Sequence, residues 1–127
     1  GLGVSDPVTS PPFVLLKIYS GRLPLSHFDL YRLSGDEDSG DLEVELGFNE
    51  YLPGEGVALV EWAERLPGLL PEEKLTVQIE RFYDDLGEGR RFWFKPDGPA
   101  AADLVAAFFE SLKWHIDGSL NMQPFRR

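Results

Sequence analysis

Residues 24–33, "PLSHFDLYRL", decide how the rest of the chain is read. Taken as a strand, its side chains alternate, so Leu25, His27, Asp29, Tyr31 and Leu33 share one face while Phe28 and Leu30 share the other. A histidine and an aspartate then stand side by side within an apolar run. An ionised carboxylate is costly to bury unless it is paired, hydrogen-bonded or bound to a metal, so Asp29 needs either a partner or a task.

The flanking sequence supplies a frame for that strand. Before it, "FVLLKIYSGR" (13–22) is apolar and β-branched enough for a buried strand, and Ser20-Gly21 offers the turn that would make the two a hairpin. After it, "SGDEDSGD" (34–41) has nothing to bury and reads as an acidic connector. The spacing of Leu42, Leu46, Phe48, Tyr51 and Leu52 predicts a short amphipathic helix, broken at Gly47 and closed by Pro53-Gly54. Next, "VALV" (57–60) is a continuous apolar run, the mark of a strand buried on both faces, and Glu61 comes directly after it. In open α/β sheets ligands bind beyond the carboxyl ends of the strands, so an acid at that position stands where magnesium and phosphates are held.

The C-terminal third has a different pattern. "LTVQIERF" (75–82) alternates apolar and polar residues, and "RRFWF" (90–94) returns after the turn "DDLGEG", which predicts an antiparallel hairpin. Leu104, Val105, Phe108, Phe109, Leu112 and Ile116 recur at helical spacing through "DLVAAFFESLKWHI" (103–116), so one helical face packs on the hairpin. "DGSLNMQPFRR" (117–127) has no periodicity.

Composition narrows the function. A chain of 127 residues fits one domain, and 43% hydrophobic residues with 9 Phe, 3 Trp and 4 Tyr argue for a packed globule. No apolar run reaches the roughly 18 residues of a membrane helix, no secretory pattern opens the chain, and the absence of cysteine removes disulfides and thiolate metal sites. The expectation is a soluble, cytoplasmic protein. A net charge of −10 works against tight independent binding to nucleic acid, so any RNA role runs through a partner.

Asp29 and Glu61 are the pair to single out. Two carboxylates on neighbouring strand ends can hold hydrated Mg²⁺ and orient a water for phosphoryl transfer, or serve as a glycosidase acid and base. Against both stands a structural role in which Asp29 pairs with Arg32 or a backbone amide and Glu61 caps the segment after it; spacing does not choose. His27 and His115 are too few for a zinc site, and His27 reads as a structural residue hydrogen-bonded beside Asp29. Trp62 reads as core or as a cover for a ligand, and Arg90 and Arg91 as a phosphate clamp or as exposed charge. No Gly-x-Ser-x-Gly and no Gly-x-x-x-x-Gly-Lys-Ser/Thr occurs in the chain.

Taken in order, "VTSPPFVLL", "LSHFDLYRL", "LGFNEYL", "GVALVEWAERLP" and the later "GR" resemble the TsaE family, bacterial P-loop ATPases of tRNA threonylcarbamoyladenosine modification. The resemblance covers residues 1–95; the helix and tail at 96–127 match nothing in it. It implies a single α/β domain over 1–127, with a mixed β-sheet of P-loop NTPase type, a C-terminal β-hairpin and a helix. It also implies ATP and Mg²⁺ as ligands and TsaD- and TsaB-like proteins as partners. By that resemblance Asp29 is similar to the acid that orients the attacking water, Glu61 to a magnesium ligand, Trp62 to the tryptophan beside it and Arg90 to an arginine near the nucleotide. "TSPPF" resembles the family's switch-like loop, with Pro12 where a threonine is usual.

The family's phosphate-binding loop belongs upstream of "GLGV". The resemblance therefore implies a fold that is N-terminally incomplete and a chain that lacks most of its ATP affinity. Two other readings compete with it. One is a non-catalytic interaction module that binds the modification complex without nucleotide; the other is a carbohydrate-active enzyme built on the two acids, working without Mg²⁺ or ATP.

Overall fold

The computed structural model describes residues 1–9, 15–33, 47–52, 54–85 and 87–113. The chain divides into two compact units, Gly1–Pro71 and Glu72–Arg127, each with its own sheet.

The first unit is built on strands β1 (Leu16–Tyr19), β2 (Leu25–Asp29) and β3 (Val57–Glu61), in the order β1-β2-β3. β1 and β2 form the expected antiparallel hairpin, with Leu16 opposite Phe28 and Tyr19 opposite Leu25. β3 runs parallel to β2, with Leu25 opposite Val57 and Asp29 opposite Glu61, so the sheet is mixed. A parallel return requires a crossover rather than a tight turn, and the one-turn helix α1 (Phe48–Tyr51) lies within it. Of the helix expected from Leu42, only this turn falls among the described residues, with Gly47 in a left-handed conformation directly before it. The acidic connector at 34–41 lies outside them.

Two expectations about this sheet are corrected. The strand at 24–33 ends at Asp29: Tyr31-Arg32 is a turn, closed by Leu33 N–H donating to Leu30 carbonyl at 3.0 Å. Alternation stops there, and Leu33 joins Phe28, Leu30, Phe48 and Leu66 in the core instead of following His27 and Asp29. Phe28 stacks on Phe48 with ring centroids 4.6 Å apart and meets Tyr51 edge-on at 6.4 Å. β3 is not buried on both faces: it ends the sheet among the described residues, Leu59 is 45% exposed and Val57, on the same face, is exposed as well.

The approach of β2's start to β3's start is unusually close. A Cβ on Gly56 would lie 2.4 Å from the Pro24 carbonyl oxygen, the same oxygen that accepts from Val57 N–H at 2.8 Å. Glycine at 56 is what lets the two parallel strands begin together, and hence end together. The N-terminal segment is tied to the hairpin at Tyr19, whose hydroxyl donates to Thr9 carbonyl at 3.0 Å and accepts from Thr9 N–H at 3.1 Å.

The second unit contains β4 (Lys74–Asp84), β5 (Gly87–Asp97) and helix α2 (Pro99–Lys113). β4 and β5 pair antiparallel along their whole length, from Lys74 opposite Asp97 to Asp84 opposite Gly87, as alternation predicts. α2 starts earlier than the apolar spacing suggests, because its first turn is capped from outside: Glu73 Oε1 accepts from Ala100 N–H at 2.9 Å. It packs on the hairpin through Phe94, whose ring lies 5.3 Å from Phe108 and 5.4 Å from Phe109. Residues 114–127, including His115, lie outside the described residues. No helix among the described residues is long and apolar enough to cross a membrane.

Candidate active site

Because β2 and β3 are parallel and in register, their carboxyl ends lie at the same edge of the sheet, and each ends in an acid. Asp29 is opposite Glu61. The backbone at this edge is pinned from both sides: Asp29 N–H donates to Leu15 carbonyl at 3.0 Å and Leu30 N–H donates to Glu61 carbonyl at 3.1 Å. Asp29 is 5% exposed, and its Oδ1 accepts from Tyr31 N–H at 3.2 Å. That local bond is an Asx turn, and it explains why the strand stops where it does. The backbone-amide partner is thus present, while Arg32 Nε reaches the Tyr31 hydroxyl at 2.7 Å.

The histidine's bond is to the other acid. His27 Nε2 lies 2.7 Å from Glu61 Oε1, across the β2–β3 pairing. In register His27 faces Leu59, so Glu61 is its diagonal neighbour, two residues along on the same face. A carboxylate oxygen only accepts, so Nε2 carries the hydrogen and donates. His27 is 2% exposed, and its Nδ1 is buried with no hydrogen-bond partner among the described residues. The Glu61 side chain, by contrast, is 42% exposed. The edge therefore presents one sheltered carboxylate and one that is held from below by an imidazole and open to water.

Trp62, next in the chain, is not core. It is 49% exposed and adopts a left-handed backbone conformation, φ 59° and ψ 37°, which turns the chain sharply away from β3. Arg65, in the 3-10 turn Ala63–Arg65, holds that turn: its guanidinium carbon lies 5.5 Å from the Trp62 ring centroid, and its Nη1 donates to the Leu33 carbonyl. Sequence reading passed over Arg65, since nothing in "EWAERL" says that a cation three residues past the tryptophan returns to a loop some thirty residues before it.

Of the four residues singled out, the first unit brings Asp29 and Glu61 together and sets Trp62 directly after them. Arg90 belongs to the second unit, on β5, where its Nη1 bonds Glu88 Oε1 and the Gly89 carbonyl, the latter at 3.2 Å. Its neighbour Arg91 pairs with Glu80 across the hairpin.

Comparison with known proteins meets this geometry. The family model described as threonylcarbamoyl adenosine biosynthesis protein TsaE matches residues 1–91, which include both acids and the tryptophan. The chain belongs to the TsaE family. Two curated relatives named tRNA threonylcarbamoyladenosine biosynthesis protein TsaE are each 43% identical to it: that of Treponema pallidum over 66% of this chain and 59% of its own length, and that of Bacillus subtilis over 67% and 51%. A third, from Nostoc, is 37% identical over 84% of this chain and 63% of its own length. The crystal structure of Bacillus subtilis YdiB superposes with a TM-score of 0.57 at 36% identity, covering 85% of this chain and 61% of that one. The chain thus spans about half to two thirds of the length of the TsaE proteins it matches.

The strand-end acids suit a magnesium ion by their chemistry. Mg²⁺ takes hard oxygen ligands, usually one or two carboxylates with the remainder from phosphate and water. Glu61 offers a partly exposed carboxylate oriented by a histidine, and Asp29 a second one beside it. Among the described residues no group of three or more His, Cys, Asp and Glu side chains gathers into a cage, and such an ion does not need one.

Proposed function

We propose that this TsaE-family chain supplies the acidic half of an ATP-hydrolysing site in tRNA threonylcarbamoyladenosine modification, working in the cytoplasm with TsaD- and TsaB-like partners. The observation that supports it is the register of Asp29 with Glu61 at the carboxyl ends of adjacent parallel strands. In that reading Glu61 is the magnesium ligand and Asp29 accepts a hydrogen bond from the attacking water. A magnesium ion held there would neutralise charge on the phosphate oxygens. Asp29 is suited to its part by shelter: the Tyr31 amide fixes one oxygen, and burial removes competing solvent. Trp62, half exposed at the same edge, would lie along the nucleotide.

The test is a calorimetric titration of the folded chain with ATP, with and without Mg²⁺. Magnesium-dependent binding supports the reading, at an affinity well short of micromolar where the phosphate-cradling pattern is absent. No binding by a chain shown to be folded overturns it for these residues and favours a second reading, an interaction module that binds TsaB- or TsaD-like partners without nucleotide. One observation speaks for that alternative: Val57, Leu59 and Trp62 leave apolar surface exposed along and just beyond β3. The phosphate-cradling pattern Gly-x-x-x-x-Gly-Lys-Ser/Thr is absent from the 127 residues, so micromolar affinity here would have to come from other backbone amides.

A further inference from the structure

We infer that His27 is a positioning residue: through Nε2–H it holds the Glu61 carboxylate in the orientation in which that group meets a divalent cation. The inference rests on the proposed magnesium role of Glu61 and adds to it the residue that sets the ligand's geometry.

Three observations carry it. First, the bond is short and spans two strands, 2.7 Å from His27 Nε2 to Glu61 Oε1, so it couples the end of β3 to the middle of β2. Second, the donor is rigid. His27 is almost wholly buried in a strand all of whose residues are buried, whereas the Glu61 side chain it grips is partly exposed. Third, the site tolerates a cost for it. Nδ1 is buried without a partner among the described residues, an arrangement that an apolar side chain of similar size would avoid. A residue present only to fill the core has no reason to be histidine here; one present to aim a carboxylate does. Ligating carboxylates elsewhere are hydrogen-bonded in this way, and loss of the outer partner typically weakens metal affinity about 10–100-fold.

The two ring nitrogens make the test specific. The amide nitrogen of glutamine reaches roughly where Nε2 lies, and that of asparagine roughly where Nδ1 lies. His27→Gln should therefore keep the donor to Glu61, while His27→Asn, of similar polarity, should lose it. In a calorimetric titration of the full chain with Mg²⁺ in the presence of ATP, His27→Gln is expected within about threefold of wild type and His27→Asn about 10–100-fold weaker. Both variants must first show cooperative thermal melts.

If wild type binds and the two variants bind alike, the positioning role is overturned while the magnesium reading stands. If wild type itself shows no magnesium-dependent binding, the magnesium reading fails and the role of His27 falls with it. Ring-nitrogen NMR of the wild-type chain needs no variant. An Nε2–H tautomer is expected, and an Nδ1–H tautomer would leave nothing to donate to Glu61 and would overturn the assignment even if neither variant folds.

Discussion

Asp29 and Glu61 stand opposite each other as the last residues of two parallel strands, yet one is sheltered and the other faces water. The asymmetry has a structural cause. Asp29 ends β2, which lies between β1 and β3, and the turn at Tyr31-Arg32 bends the chain back over the core. Glu61 ends β3, and the left-handed Trp62 turns the chain outward immediately after it. Two carboxylates at one edge thus occupy environments suited to two different tasks, as the water-orienting and metal-binding roles proposed for them require.

Replacement of Glu61 by alanine separates site from fold. The side chain is partly exposed and its partner His27 keeps its place in β2, so the thermal midpoint should move by only a few degrees, in keeping with a loss of about 1 kcal/mol. Magnesium-dependent ATP binding, measured by calorimetry, should weaken by about tenfold or more. A loss of stability equal to the loss of affinity would count against the metal role.

The core makes the opposite prediction at Phe28. It is fully buried, stacked on Phe48 and in edge contact with Tyr51, so it ties β2 to the one-turn helix α1. Phe28→Ala should cost about 3–5 kcal/mol, measured by urea denaturation monitored by circular dichroism. A cost under about 1 kcal/mol would mean that the α1 turn is not held by this stack.

Much of this was legible in the residues. The alternation in "LSHFD" and the apolar run of "VALV" identified the strands that carry the acids, and the hairpin and C-terminal helix came from period alone. Three features were not legible. The strand after Asp29 reads as continuing to Leu33 because the run stays apolar, and only the Asx bond to Tyr31 ends it. The exposure of Val57 and Leu59 depends on what packs over that face of β3, which apolarity does not encode. The bond from His27 to Glu61 depends on the register of two strands about thirty residues apart, which is set by Gly56 approaching Pro24 and not by any local pattern.

The start of α2 offers a test confined to the second unit. Gly98 has φ 96°, and a Cβ there would lie 2.6 Å from the Glu73 Oε1 that caps Ala100. Glu73→Ala should destabilise by about 1 kcal/mol through loss of the cap. Gly98→Ala should cost as much or more, because it adds backbone strain and displaces the same carboxylate. Since both act on one bond, the double variant should cost less than the sum of the two, and additive losses would show that the cap and the glycine act independently.

The turn at Trp62 gives the sharpest separation of backbone from side chain. It is the one non-glycine residue with positive φ among the described residues, and left-handed conformation costs an L-residue roughly 1–2 kcal/mol. Trp62→Gly and Trp62→Ala both remove the ring that Arg65 lies against, so they share that loss; they differ in whether a Cβ must be accommodated at φ 59°. In urea denaturation Trp62→Gly should therefore be the more stable of the two by about 1 kcal/mol, against the usual disadvantage of glycine. The reverse order would mean that the turn relaxes when the ring is gone, and that the ring and Arg65 together impose it. In calorimetric titrations with ATP and Mg²⁺ the two variants should be equally impaired, because the proposed contribution of Trp62 lies in its exposed ring.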